Sequence, residues 1–167
     1  SLEIEAKEIN LTSDQQNAIS AICNSLDQNI FDPFLLHGVT GSGKTEVFIE
    51  AAKHAMNQNK SVVVLLPEIS TTPQIAGRFK SVFGDSVAVW HSKLSKSSRA
   101  WIWKKICNGD FKIIVGARSA IFTPLKNLGL IIVDEEQENA YKQTSSSPKY
   151  HAKEVALMRG KISKATV

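Results

Sequence analysis

Short apolar runs alternate along this chain with longer amphipathic stretches. Runs such as Val62-Val63-Val64-Leu65-Leu66 are continuously apolar, which is typical of strands covered by helices on both faces. Their alternation with helix-length stretches is the pattern of parallel βαβ units. It predicts an α/β fold with a mainly parallel central sheet between two helical layers. Strands are expected at residues 34–37, 61–66, 86–91, 111–115 and 128–133, and helices at residues 12–26, 44–57, 72–83, 96–107 and 150–159.

Composition adds little that is specific. The 167 residues fit one domain, and no apolar run approaches the ~18 residues of a membrane span. Cys23 and Cys107 have no C-x-x-C partner, so we expect reduced thiols without zinc or a disulfide. Trp90, Trp101 and Trp103 are interpreted as core or half-buried packing residues. A net charge of +4 is compatible with a phosphate-rich partner, but it is also common in proteins that bind none.

The loop after the first predicted strand matches G-x-x-x-x-G-K-[ST] in full: Gly38-Val39-Thr40-Gly41-Ser42-Gly43-Lys44-Thr45. Its glycines allow successive backbone N–H groups to point at a β-phosphate, while Lys44 reaches the β and γ oxygens and Thr45 can ligate Mg²⁺. A glycine-rich turn without a ligand is the alternative, and the flanking strand and helix patterns disfavour it. The sequence therefore predicts a three-layer P-loop NTPase domain.

A second site follows the last apolar run, where the chain reads Val133-Asp134-Glu135-Glu136. A parallel strand delivers its C-terminal residues to the crevice where a phosphate loop lies. Asp134 could hold the Mg²⁺ shell, and Glu135 could polarise the attacking water. A solvated acidic turn is the alternative, which the upstream phosphate loop makes the weaker interpretation.

Several classes of protein share this loop, so residues outside it must distinguish among them. A GTPase needs N-K-x-D, whereas Asn59-Lys60 is followed by Ser61-Val62. A strand ending in D-E is typical of superfamily 2 helicases. Further motifs occur in order: Leu11-Thr12-Ser13-Asp14-Gln15, Pro67-Glu68-Ile69-Ser70-Thr71-Thr72-Pro73-Gln74, His91-Ser92, Gly116-Ala117-Arg118-Ser119, Tyr141-Lys142-Gln143 and Pro148-Lys149-Tyr150-His151.

With this ordered set, the chain resembles the first RecA-like motor lobe of the PriA family of replication-restart helicases over nearly its whole length. The resemblance implies an ATP-dependent 3′-5′ DNA helicase, and hence an ATP hydrolase, that remodels stalled forks and initiates primosome assembly. It implies Lys44, Asp134, Glu135 and Gln137 as catalytic residues, with ATP and Mg²⁺ as cofactors. It also implies that Gln15 reads the adenine edge; a helix capping box with Thr12 is the equal alternative.

The resemblance implies DNA contacts for three stretches: residues 67–74, residues 116–119 and residues 141–151. The alternative for Thr72 is an ordinary helix start, and the alternative for Arg118 is a surface salt bridge. The aromatic and basic loop after the acidic strand resembles one that senses single-stranded DNA in related helicases; anchoring of its tyrosines on the core is the alternative. The implied DNA-binding residues are Thr72, Gln74, Arg118, Ser119, Tyr141, Lys142 and Tyr150.

The chain departs from the family at a few positions. Gln137 stands where the family has His, and Lys149 and Lys153 stand where it has Arg, which keeps the charge without the planar fork. We expect residues 1–10 to be the remnant of a preceding domain or linker, and residues 11–167 to be a helicase lobe that stops before the next motif. Zinc-binding cysteines and an arginine finger are expected in other parts of a full-length protein, so this lobe alone should hydrolyse ATP poorly.

By the same resemblance, the partners are single-stranded and forked DNA, a second helicase lobe in the same chain, other primosome proteins and single-strand-binding protein, with no membrane. A bacterial cytoplasmic location is expected. Two rival functions stay open at this stage. One is a lobe of another nucleic-acid-dependent superfamily 2 ATPase, against which residues 116–124 argue. The other is a regulatory nucleotide-binding module that does not translocate.

Overall fold

The elements of the computed structural model follow the predicted alternation of strands and helices. The structure describes residues 10–38, 43–67, 72–134 and 151–167. The helices are α1 (Ser13–Gln28), α2 (Lys44–Asn57), α3 (Thr72–Phe83), α4 (Lys96–Asn108) and α5 (Ala152–Ser163). The strands are β1 (Ser61–Leu65), β2 (Val87–Trp90), β3 (Ile113–Gly116) and β4 (Leu128–Val133), and short 3₁₀ turns occupy Gly84–Ser86 and Arg118–Phe122.

The strands form one parallel sheet in the order β2-β3-β1-β4. All five residues of β1 are buried, because helices cover both faces of the sheet. Val63 and Leu65 pack with α4 and α5, whereas Val62 and Val64 pack with α1, α2 and α3. The predicted α/β architecture, with a parallel sheet between two helical layers, is therefore confirmed.

The strand predicted at residues 34–37 is wrong, because that segment has no strand conformation in the structure. The last residues of the chain separate it from β4. Thr166 bridges in parallel to both Asp32 and Leu130, and the Phe34 amide donates to the Val167 carbonyl at 2.8 Å. Among the described strands, none lies beside residues 35–37 to form a ladder.

The three tryptophans pack against other rings as predicted, but to different depths. Trp90 is buried at the end of β2, whereas Trp101 is 56% exposed and Trp103 is 42% exposed on α4. Helix α4 turns Ile102 and Ile106 into the core. Because neighbours in sequence point about 100° apart around a helix, the residues on either side of Ile102 are directed away from the sheet.

Helices α1 and α2 are joined on the surface by a small polar cluster. The Asp27 carboxylate lies 2.7 Å from His54 Nε2 and also accepts from the Gln58 side-chain amide. The hydrogen bond from His54 holds the pKa of Asp27 below its ordinary value. Cys23, also on α1, is a free thiol whose pKa is raised by burial. In the described part of the chain, no helix is both long and apolar enough to cross a bilayer.

Candidate functional site

The predicted phosphate-loop lysine and the first strand-end carboxylate meet at the carboxyl edge of the sheet. Lys44 is the first residue of α2, and its Nζ lies 3.9 Å from Asp134 Oδ1. The Asp134 amide donates to the Leu65 carbonyl at 3.0 Å, which fixes the carboxylate just beyond β4. A cation and a carboxylate are thus held at the positive end of α2, where an anion is favoured.

We call the meeting point of Lys44 and Asp134 the phosphate-loop corner, and Gly43 sets the backbone conformation there. It caps α2 with φ of +81°, a left-handed conformation that L side chains rarely adopt. A Cβ at this position would also lie 2.2 Å from Gln15 Nε2. The last glycine of the motif is therefore required by the backbone, and any side chain there would also displace the Gln15 amide.

Gln15 combines the capping role with a contact to the loop. Its Oε1 accepts from the Thr12 amide at 2.8 Å, and its own amide donates to Thr12 Oγ1 at 3.2 Å, so the capping box is present. Its Nε2 donates to the Gly43 carbonyl at 3.0 Å. The side chain thereby ties the start of α1 to the start of α2, and its reading of adenine stays a prediction.

An apolar cavity of about 540 Å³ adjoins the pair. Lys44 and Asp134 line one end of it, and Leu36, Phe48 and Ile132 contribute to its walls. Gly38 and His37, at the start of the loop, lie on the same rim. This cavity lies between residues 34–37 and β4, and Thr166 and Val167 line it as well.

An ion pair that the sequence reading missed links this corner to the neighbouring helix. Glu46 lies in the first turn of α2, and Arg78 of α3 holds it with two parallel hydrogen bonds: Nε to Oε1 at 3.1 Å and Nη2 to Oε2 at 3.0 Å. Both side chains are only partly exposed. The residues are 32 positions apart in sequence, so only the packing of α2 beside α3 could reveal the pair.

The described members of the predicted DNA-binding set lie along the same edge of the sheet. Helix α3, with Thr72 as its first residue and Gln74 exposed in its first turn, follows β1. Arg118 and Ser119 begin the 3₁₀ turn that follows β3. Gly116 lets the end of β3 lie close to the end of β2, because a Cβ there would lie 2.1 Å from the Trp90 carbonyl oxygen.

The remaining predicted site residues lie outside the described residues. They are Val39, Thr40, Gly41, Ser42, Glu135, Gln137, Tyr141, Lys142 and Tyr150.

The family model of the DEAD/DEAH box helicases matches residues 12–163, which is most of the chain. The chain belongs to the DEAD/DEAH box helicase family. Membership of this family implies that it binds ATP. The matched residues include the start of α1, the whole described phosphate-loop corner and Asp134.

Two relatives show which helicases this chain is similar to. The replication restart protein PriA of Chlamydia pneumoniae is 51% identical over 157 residues, which is 94% of this chain and 21% of that protein. PriA of Bacillus subtilis (strain 168) is 50% identical over 149 residues, covering 89% of this chain and 18% of that one. The PriA resemblance of the motifs is thereby confirmed. The chain spans about a fifth of the length of these curated relatives.

A solved structure supports the same fold. RecG bound to a three-way DNA junction superimposes with a TM-score of 0.66 and 26% identity, covering 81% of this chain and 19% of that one. The similarity identifies the three-layer domain as a RecA-like lobe of the helicase family.

Proposed function

We propose that this chain is the ATP-binding lobe of an ATP-dependent 3′-5′ DNA helicase that acts in replication restart. The observation that carries the proposal is the meeting of Lys44 and Asp134 at the carboxyl edge of the sheet, in a chain that is about half identical to PriA proteins. The larger protein would act in the bacterial cytoplasm with a second motor lobe and with primosome and single-strand-binding proteins as partners.

The residues at this corner suit the steps of phosphate binding. Lys44 holds the β and γ oxygens, as the lysine of a phosphate loop does. The carboxylate of Asp134 and the hydroxyl of Thr45 fit Mg²⁺, which is bound in proteins through one or two carboxylates together with substrate phosphates. Mg²⁺ neutralises phosphate charge when it is bound. Glu135 orients the attacking water, Gln137 contacts the partner lobe, and Gln15 reads the adenine edge.

DNA would run over the segments that leave the carboxyl ends of the strands. Thr72, Gln74 and Ser119 offer short polar groups that grip phosphates without reading sequence, and Arg118 adds a charged contact. A loop with Tyr141, Lys142 and Tyr150 would supply aromatic stacking and a further cation. RecG, which shares this fold, was solved bound to a DNA junction, and that supports DNA as a substrate.

The test of the nucleotide site is the binding of a fluorescent ATP analogue to this chain in the presence of Mg²⁺. Lys44→Ala and Asp134→Asn are expected to weaken binding at least tenfold, because each removes a charge that faces the phosphates or their metal. Lys53→Ala is the matched control, since Lys53 is an exposed lysine of the same helix paired with Glu50. If Lys44→Ala and Lys53→Ala weakened binding of the ATP analogue equally, that result would contradict the proposed role of Lys44 in nucleotide binding.

The same account predicts slow turnover by this lobe alone. An arginine supplied from a second lobe is worth roughly 10³ to 10⁵ in rate in related systems. Binding of the analogue without appreciable hydrolysis is therefore the expected behaviour of the chain. DNA-stimulated multiple turnover by these 167 residues would show that the lobe needs no such partner.

A further inference from the structure

One segment of this lobe carries several basic residues and no acidic ones. Residues 91–109 contain five Lys or Arg residues and no Asp or Glu, in a chain whose net charge is only +4. The segment runs from the end of β2 through α4. Such a local excess favours a polyanionic partner over an ordinary solvated face, because surfaces without a charged ligand usually intersperse both signs.

One side of α4 combines this charge with an exposed indole. Lys96, Arg99 and Trp103 follow one another at i, i+3 and i+7, so they share a face of the helix. All three side chains are exposed, Trp103 by 42%. We call these three residues the Trp103 face.

Trp103 is held in place by the core beneath it. Its ring lies 5.9 Å from the ring of the buried Trp90, centroid to centroid. Arg99 also lies over the Trp90 ring, at 5.8 Å, and its Nη2 donates to the Ser92 carbonyl at 3.2 Å. An exposed aromatic ring that is already fixed on one side loses little conformational entropy when another ring stacks on the other side.

The Trp103 face also adjoins the carboxyl edge of the sheet. The Trp90 carbonyl accepts from the Ala117 amide at 3.1 Å, which connects the base of this face to the residue before Arg118. The other exposed tryptophan of α4 is placed differently. Trp101 points about 200° away around the helix, packs edge-on against Phe111, and lies near the Lys105–Asp110 ion pair, where an acidic group is present.

We propose that the Trp103 face binds single-stranded DNA, with a base stacked on the Trp103 indole and phosphates near Lys96 and Arg99. The proposal rests on the proposed function in DNA unwinding and extends its DNA path from the turn at Arg118 onto α4. Aromatic rings with cations beside them suit sequence-independent strand binding, since every base offers a π face. An acidic protein segment would use the cations but would have no need of the fixed indole.

The test is fluorescence anisotropy of a labelled oligo-dT with this chain at low salt. Trp103→Ala and Trp103→Leu are expected to weaken binding by about five- to a hundredfold, the range that loss of one stacked base gives. Trp103→Phe should restore most of the affinity, and Trp101→Ala should bind as the wild type does. An oligomer of the same length with abasic sites should bind wild type and Trp103→Ala alike.

Each opposite result has a definite meaning. Wild-type affinity in Trp103→Ala, or the same loss on the abasic oligomer, overturns the stacking proposal. Competition by polyglutamate as effective as that by DNA would also overturn it, by showing a general anion surface. If Arg118→Ala weakens binding while Trp103→Ala does not, the Trp103 face fails and the proposed function stands. If the wild type binds no oligo-dT at all, the proposed function itself fails.

Discussion

Gly43 adopts a left-handed backbone conformation immediately before Lys44, and the Gln15 amide occupies the space where a side chain would project. The motif alone predicts a glycine at this position, since the loop must curl around phosphate. The contact with Gln15 could not be read from the sequence, because it joins residues 28 positions apart. For Gln15 the sequence left a capping box and adenine recognition as equal alternatives, and the structure shows the capping box together with a contact to Gly43.

At the residue scale, Gly43→Ala is expected to lower the free energy of unfolding by at least about 1 to 2 kcal/mol, the strain of a left-handed alanine. It should also weaken binding of the ATP analogue, because the start of α2 shifts. Gly77→Ala is the matched control. Gly77 is an exposed glycine of α3 with no atom within 4 Å of a Cβ added there, so alanine should stabilise the fold by roughly 0.5 to 1 kcal/mol. Urea denaturation measures both, and equal effects of the two substitutions would contradict this account of Gly43.

At the element scale, α2 and α3 are coupled by the two hydrogen bonds between Glu46 and Arg78. Helix α2 carries Lys44, and α3 carries the predicted DNA contacts Thr72 and Gln74. We expect this bidentate ion pair to couple the phosphate-loop helix to the helix that would face DNA.

A double-mutant cycle with Arg78→Ala and Glu46→Gln tests this link. We expect a coupling free energy of about 1 kcal/mol in urea denaturation, more than an exposed pair gives because the side chains are partly buried and the contact is bidentate. Arg78→Lys should recover less than half of it, since lysine lacks the planar fork. The exposed pair of Lys53 and Glu50 provides the comparison, with an expected coupling below about 0.5 kcal/mol. A cycle for Arg78 and Glu46 no larger than that comparison would show that the fork does not join the helices.

The elements themselves could be predicted where the hydrophobic period is unambiguous. Helices α1 to α4 lie within one or two residues of their predicted bounds, and β1 and β4 occur where continuous apolar runs predicted them. Residues 34–36 are apolar too, but a strand also needs a neighbour to complete its hydrogen bonds. Among the described residues, the backbone partners of this segment are Thr166 and Val167, which bond it only at Asp32 and Phe34. On α4 the aromatic content suggested packing, whereas the helix phase set by Ile102 and Ile106 exposes Trp101 and Trp103.

At the scale of the whole molecule, the sheet order β2-β3-β1-β4 brings the ends of β1, β3 and β4 to one edge. Lys44 and Asp134 meet there, and Arg118 follows the end of β3 at the same edge. The sequence predicted this convergence because carboxyl ends of parallel strands share an edge. The basic segment at residues 91–109 is visible in the sequence, but its place beside the carboxyl edge of the sheet is not, because that depends on how α4 packs. The molecule thus places its nucleotide corner and its most basic helix at opposite ends of one edge of the sheet, with β1 and β3 between them.

The central claim is that ATP hydrolysis at Lys44 is coupled to DNA. The measurement that tests it most directly is the ATPase rate of the full-length protein that we propose carries this lobe, with and without single-stranded DNA, for wild type, Lys44→Ala and the control Lys53→Ala. We predict that DNA raises the wild-type and Lys53→Ala rates several-fold and that Lys44→Ala stays at background under both conditions. A rate that ignores DNA, or one that survives Lys44→Ala, would contradict the account and favour a regulatory nucleotide-binding module.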